Sequence, residues 1–83
     1  MNPKRINQQR VREKMDEYMA RRDYVGAERH LLYWLEEAKA AFDQRGELMV
    51  RNELIGHFRK TGNRTGAMEQ ADQALRLLRE MAY

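Results

Sequence analysis

Eighty-three residues make one small domain, near the size at which a single core leaves only a few kcal/mol of net stability. Cysteine is absent and the two histidines lack a local ligand cluster, so no disulfide, metal site or cofactor is expected to supplement that core. Sixteen basic against thirteen acidic residues give +3, well short of the charge of a protein that coats nucleic acid. No apolar run approaches the ~18 residues of a membrane span, and no signal-like apolar region follows Met1, so a cytoplasmic protein is expected.

The only proline is Pro3, which permits helix throughout the rest of the chain. Asn2-Pro3 is suited to start a helix, asparagine as a cap and proline at the first helical position. Val11, Met15, Tyr18 and Met19 then recur at helical spacing. Asp23 is placed to cap a second helix, from about Tyr24 to about Phe42, with the stripe Tyr24, Ala27, Leu31, Trp34, Leu35, Ala38 and Phe42. Leu32 and Tyr33 widen its apolar face toward a second neighbour. Asp43-Gln44-Arg45-Gly46 reads as a polar exit with glycine at the C-cap. A third helix carries Leu48, Met49, Leu54, Ile55 and Phe58 and closes at Thr61-Gly62-Asn63. A fourth opens near Arg64 or Thr65 and carries Ala67, Ala71, Ala74, Leu75, Leu78, Met81 and Ala82. No alternating strand pattern interrupts them. The predicted fold class is all-α, two antiparallel helix-turn-helix hairpins.

Shifted by forty residues, the chain matches itself: Glu13 with Glu53, Met15 with Ile55, Tyr18 with Phe58, Asp23 with Asn63, Gly26 with Gly66, Ala27 with Ala67, and Leu35 with Leu75. An aromatic near the end of one helix, a turn, and Gly-Ala at the start of the next are what two packed helices need. Such a period points to an α-solenoid, with repeat one at about 8–45 and repeat two at about 46–83. A plain four-helix bundle with accidental similarity is the alternative.

Leu54, Ile55, Phe58, Gly62, Ala67, Ala71 and Ala74 resemble the pattern of the tetratricopeptide repeat. Lys14, Met15, Tyr18, Arg22, Ala27, Leu31 and Trp34 match it more loosely. Arg51 stands at the family's tryptophan position, and its closing proline is missing from both units. The period exceeds the usual 34 and is closer to the long-helix variant of kinesin light chains and many bacterial regulators. The resemblance implies a protein-interaction or assembly module that binds a peptide or partner helix on the concave face of the first helices. By position, Gln9, Arg12, Asp16 and Met19 would line that face from helix one. Met49, Asn52, Gly56, Arg59 and Lys60 would line it from helix three.

Asn52, Gly56 and Arg59 share one helical face, where Gly56 leaves room for a ligand backbone and Arg59 suits an acidic or C-terminal peptide segment. The plainer alternative is a solvated face on which Gly56 merely relieves crowding. Trp34 is expected to pack between hairpins, and His30 and His57 to be surface or half-buried neutral residues. Helix four ends in Leu77, Leu78, Met81 and Tyr83, so either further repeats or a self-associated second copy is expected to cover it.

Lys4, Arg5, Arg10, Arg12 and Lys14 form a basic run. From it comes the runner-up function, a small basic helical regulator that dimerises and binds nucleic acid. Interleaved aromatics and a recognition-helix turn are missing, which makes nucleic acid the weaker expectation. An enzyme is not expected. Asp16-Glu17, Glu36-Glu37 and Asp43 lie at helix-surface positions, and Gly62-Asn63-Arg64-Thr65-Gly66 lacks the lysine and spacing of a phosphate loop.

Overall fold

The computed structural model describes residues 5–82 as four α-helices: α1 Gln8–Ala20, α2 Tyr24–Ala40, α3 Gln44–Lys60 and α4 Arg64–Met81. The expectations for Asn2-Pro3, Lys4 and Tyr83 lie outside the described residues. There is no strand among the described residues, and no helix among them is long and apolar enough to cross a membrane.

Three junctions of one design connect the helices. Two residues past the end of each outgoing helix stands a residue in the left-handed region: Arg22 at φ 55°, Phe42 at φ 54° and Gly62 at φ 79°. The next residue donates its backbone N–H five positions back, Asp23 to the Tyr18 carbonyl and Asp43 to the Ala38 carbonyl at 2.9 Å, Asn63 to the Phe58 carbonyl at 2.7 Å. These bonds satisfy carbonyls that a helix end leaves orphaned. The same Asp or Asn then caps the incoming helix. Its Oδ1 accepts at 2.9 Å from the backbone N–H of Gly26, Gly46 or Gly66. Two helix ends are thus closed by one residue, at positions 23, 43 and 63, and the structural period is twenty residues, half the period of the sequence match.

The glycines belong to this device. A Cβ at Gly26 would overlap the Asp23 carboxylate and lie 2.8 Å from the Tyr18 ring. At Gly66 it would meet the Asn63 amide and lie 3.0 Å from Phe58. At Gly46 it would overlap the Asp43 carboxylate and lie 2.7 Å from Ile6. That carboxylate is pinned from a second side, because Asp43 Oδ2 accepts the Ile6 backbone N–H at 2.9 Å. Asp43 and Gly46 therefore start α3; they do not end α2. The expected C-cap at Gly46 is replaced by Phe42 in the left-handed position, and α2 stops at Ala40.

Short turns make consecutive helices antiparallel, and the packed pairs are α1 with α2, α2 with α3, and α3 with α4. The α1–α4 pair that would close a four-helix bundle is not among them. The core runs through Val11, Met15, Ala27, Leu31, Leu35, Met49, Val50, Leu54, Phe58 and Ala67, with Tyr18, Met19 and Trp34 packed against it half-buried. Helix α3 lies between α2 and α4 and buries the most varied set of side chains, including Arg51 and His57. Arg51 joins α3 to α4: its Nε donates to Glu47 Oε2 at 2.9 Å and its Nη1 to Gln70 Oε1 at 2.8 Å. A satisfied polar bridge thus fills this part of the α3–α4 contact.

Several expected core positions are exposed. Phe42 is 82% exposed because it belongs to a turn and not to the α2 stripe, and Tyr24 lies at the rim. Helix α2 has the two neighbours expected for it, α1 and α3, but meets them without Leu32 and Tyr33, which are exposed. Leu75 and Leu78 are also exposed, whereas Leu77 is buried.

A phenylalanine in the left-handed region costs roughly 1–2 kcal/mol that glycine avoids, partly offset by glycine's unfolded-state entropy. Since the Phe42 side chain is exposed, Phe42→Gly is expected to stabilise the chain by about 0.5–1 kcal/mol in urea denaturation. Unchanged or lower stability would show that the Phe42 ring contributes packing.

Candidate functional site

Two surfaces emerge where one was expected. The first is a groove between α1 and α3, lined by Gln8 and Arg12 from one helix and by Arg45, Leu48, Asn52 and Glu53 from the other. Arg12 Nε reaches Glu53 Oε1 across it at 4.0 Å, an exposed pair of small energetic weight. Of the residues expected on the peptide-binding face, Arg12, Met49 and Asn52 meet here. Asp16 is exposed one turn beyond Arg12, and Gly56 is exposed one turn beyond Asn52. No atom lies within 4 Å of a Cβ placed on Gly56, so crowding is not what that glycine relieves.

Gln9 does not join the groove. It bonds Glu13 at 3.0 Å and lines a shallow cleft with Arg10, Lys14 and Glu17, on the polar face of α1. Lys60 is exposed at the last residue of α3. Arg59 lines the second surface, a cleft between α3 and α4 shared with Ile55, Arg64, Ala67, Met68 and Ala71.

Internal repetition explains that second surface. Shifted by forty residues, Met15, Leu31, Leu35 and Ala38 of the first hairpin become Ile55, Ala71, Leu75 and Leu78 of the second. In the first hairpin all four are buried, and α3 packs over α2. In the second hairpin no helix among the described residues follows α4. Leu35 is 6% exposed and its counterpart Leu75 54%; Ala38 is 0% exposed and Leu78 47%. Met68, at 63%, continues the ridge. Of the residues expected to form an interface, Leu78 belongs to this face and Met81 is half-buried near the end of α4. Leu77 points the other way, into a cleft shared with Gln44, Glu47 and Gln73.

The histidines stay within the fold. His30 Nε2 lies 3.0 Å from the Val11 carbonyl, tying α2 to α1, and is half-buried as expected. His57 is only 3% exposed, more deeply placed than expected, with Nε2 3.6 Å from Glu28 Oε1. That contact is an ion pair only when the imidazole is protonated, and Nδ1 has no hydrogen-bond partner among the described residues. No group of three or more metal-ligating side chains is assembled among the described residues. Arg45, Glu53, Arg64 and Met68 escaped sequence reasoning. The first two precede or flank the core stripe of α3, and the other two lie in the first turns of α4, where they read as solvent-facing.

Comparison of the chain with protein-family models, with curated proteins and with solved structures gives no match. The likeness to tetratricopeptide repeats therefore rests on the quoted residues and on the internal repetition.

Gly56 separates folding from binding. Gly56→Ala is expected to stabilise the fold by about 1 kcal/mol through helix propensity, since the added methyl meets nothing. Thermal unfolding checks this, and a destabilisation would mean that the α3 backbone near Gly56 is held in another way.

Proposed function

We propose that the protein is an interaction or assembly module of the tetratricopeptide-like kind, whose second hairpin receives a helix from a partner. One observation carries this reading: the face that α3 covers on the first hairpin recurs on the second as exposed Met68, Leu75 and Leu78. Burying a Leu-sized side chain contributes on the order of 1.5–3 kcal/mol, so three such residues give a partner helix a strong reason to dock. The role is binding without catalysis. Its chemistry is an apolar ridge, with cations beside it and no convergent acid, base or nucleophile.

The α1–α3 groove supports a second, peptide-binding surface on the concave side, favoured by the open space at Gly56 beside Asn52. Nucleic acid is the weaker partner. Arg10 and Lys14 alternate with Glu13 and Glu17 on α1, Lys14 pairs with Glu17 at 3.2 Å, and Arg12 faces Glu53, so Arg12 and Lys14 are locally neutralised.

Leu75→Asp with Leu78→Asp tests the reading. Both side chains are exposed, so stability is expected to change by no more than about 0.5 kcal/mol per site. Fluorescence of a dye that reports apolar surface is expected to fall sharply in the double variant. Equal dye binding by both chains would contradict the open-face reading.

A further inference from the structure

The way α3 sits on the first hairpin is a template for what the second hairpin accepts, and the differences between the hairpins define its chemistry. Helix α3 runs antiparallel to α2, so its C-terminal end lies beside the start of α2, where His57 approaches Glu28. Transferred by forty residues, an occupant would run antiparallel to α4 and place its C-terminal end beside Arg64 and Met68. The template positions there are Met19, Tyr24 and Glu28; in the second hairpin they are Arg59, Arg64 and Met68. Two neutral residues have become cations, and the one acid has become apolar. The cleft they line contains no acidic residue, and neither Arg59 nor Arg64 forms an ion pair among the described residues.

Resting on the open-face reading above, we propose that the occupant is an amphipathic helix of another protein, carrying an acidic C-terminal turn. Its apolar stripe takes the place of the α3 side chains that cover α2, with an apolar residue where α3 has His57, because Met68 replaces Glu28 opposite. Its last turn sets carboxylates, together with its own unsatisfied carbonyls, against Arg59 and Arg64. Acidic residues at a helix C-terminus disfavour the free helix, so the two arginines are what make that sequence bind.

A second copy of the chain fits less well. The outer face of α1, which would be the next helix in a head-to-tail stack, presents Gln9, Arg10, Glu13, Lys14 and Glu17, all exposed and none apolar. Antiparallel pairing of two α4 helices through Met68, Ala71, Leu75 and Leu78 brings the Arg64 end of one copy toward the Arg79 end of the other, cation against cation.

The test uses the full chain and two labelled synthetic peptides, read by fluorescence anisotropy. One is residues 44–60 with His57→Leu; the other adds Arg59→Glu and Lys60→Glu within the peptide. The acidic peptide is expected to bind about tenfold more tightly at low salt, with the difference shrinking as salt is raised. In a chain carrying Arg59→Glu and Arg64→Glu the preference is expected to reverse. If both peptides bind equally, yet both are weakened by Leu75→Asp with Leu78→Asp, the acidic specificity is overturned and the open face stands. If neither peptide responds to those leucine substitutions, the open-face reading itself fails. A dimer in sedimentation that the same substitutions dissolve would make a second copy the occupant and overturn the proposal.

Discussion

One residue closes two helix ends at every junction of this chain, and the rest of the architecture depends on it. Asp23, Asp43 and Asn63 each donate a backbone N–H to the departing helix and accept from the arriving one through Oδ1. Four orphaned polar groups at each helix end are the standing cost of a short-helix fold, and a single shared residue offsets part of it on both sides. The turn it imposes is so short that successive helices must run antiparallel and pack as neighbours. Glycine at the third position of the incoming helix lets the capping carboxylate or amide approach the backbone. At two of the three junctions it also admits an aromatic ring from the previous helix.

Repeating one junction makes each helix antiparallel to its predecessor, and the outermost helices α1 and α4 present different side chains outward. Helix α1 turns a polar face outward and needs no further cover. Helix α4 carries leucines where its counterpart α2 is covered. Helix α3, between them, has neighbours on both flanks, which is why it can bury Arg51 and His57 as well as its apolar stripe. Its bridge to Gln70 is satisfied at both ends, so the α3–α4 contact combines apolar packing with geometry-specific hydrogen bonds.

Much of this was legible in the sequence. The four helices follow from stripes at steps of three and four, and the hairpin order from the repeated aromatic, turn and Gly-Ala. Burial of Val11, Met15, Leu31, Leu54 and Phe58 followed from spacing alone. The middle junction was misread because Phe42 resembles the end of a stripe and Gly46 resembles a C-cap. Only the recurrence of Asp or Asn three residues before glycine, at 23, 43 and 63, reveals the shared device, and Phe42 masks it by occupying a position that glycine fills at residue 62. Burial of Arg51 was invisible because its partner Gln70 comes from another helix. The candidate site was legible in part. Arg12 and Asn52 share a groove as their helical positions imply, but Arg59 turns toward α4, since a face of a helix is divided between neighbours in a way one helix cannot specify.

Each helix is held by the next one, and no helix among the described residues covers α4. Native-state hydrogen exchange resolved by residue tests it most directly, because it reads the opening of each helix separately. The account predicts the slowest exchange in α3, intermediate exchange in α2, and faster exchange in the C-terminal half of α4 around Leu75 and Leu78 than at the equivalent Leu35 and Ala38 of α2. Protection of that half of α4 equal to that of α2, in a chain shown to be monomeric, would contradict it.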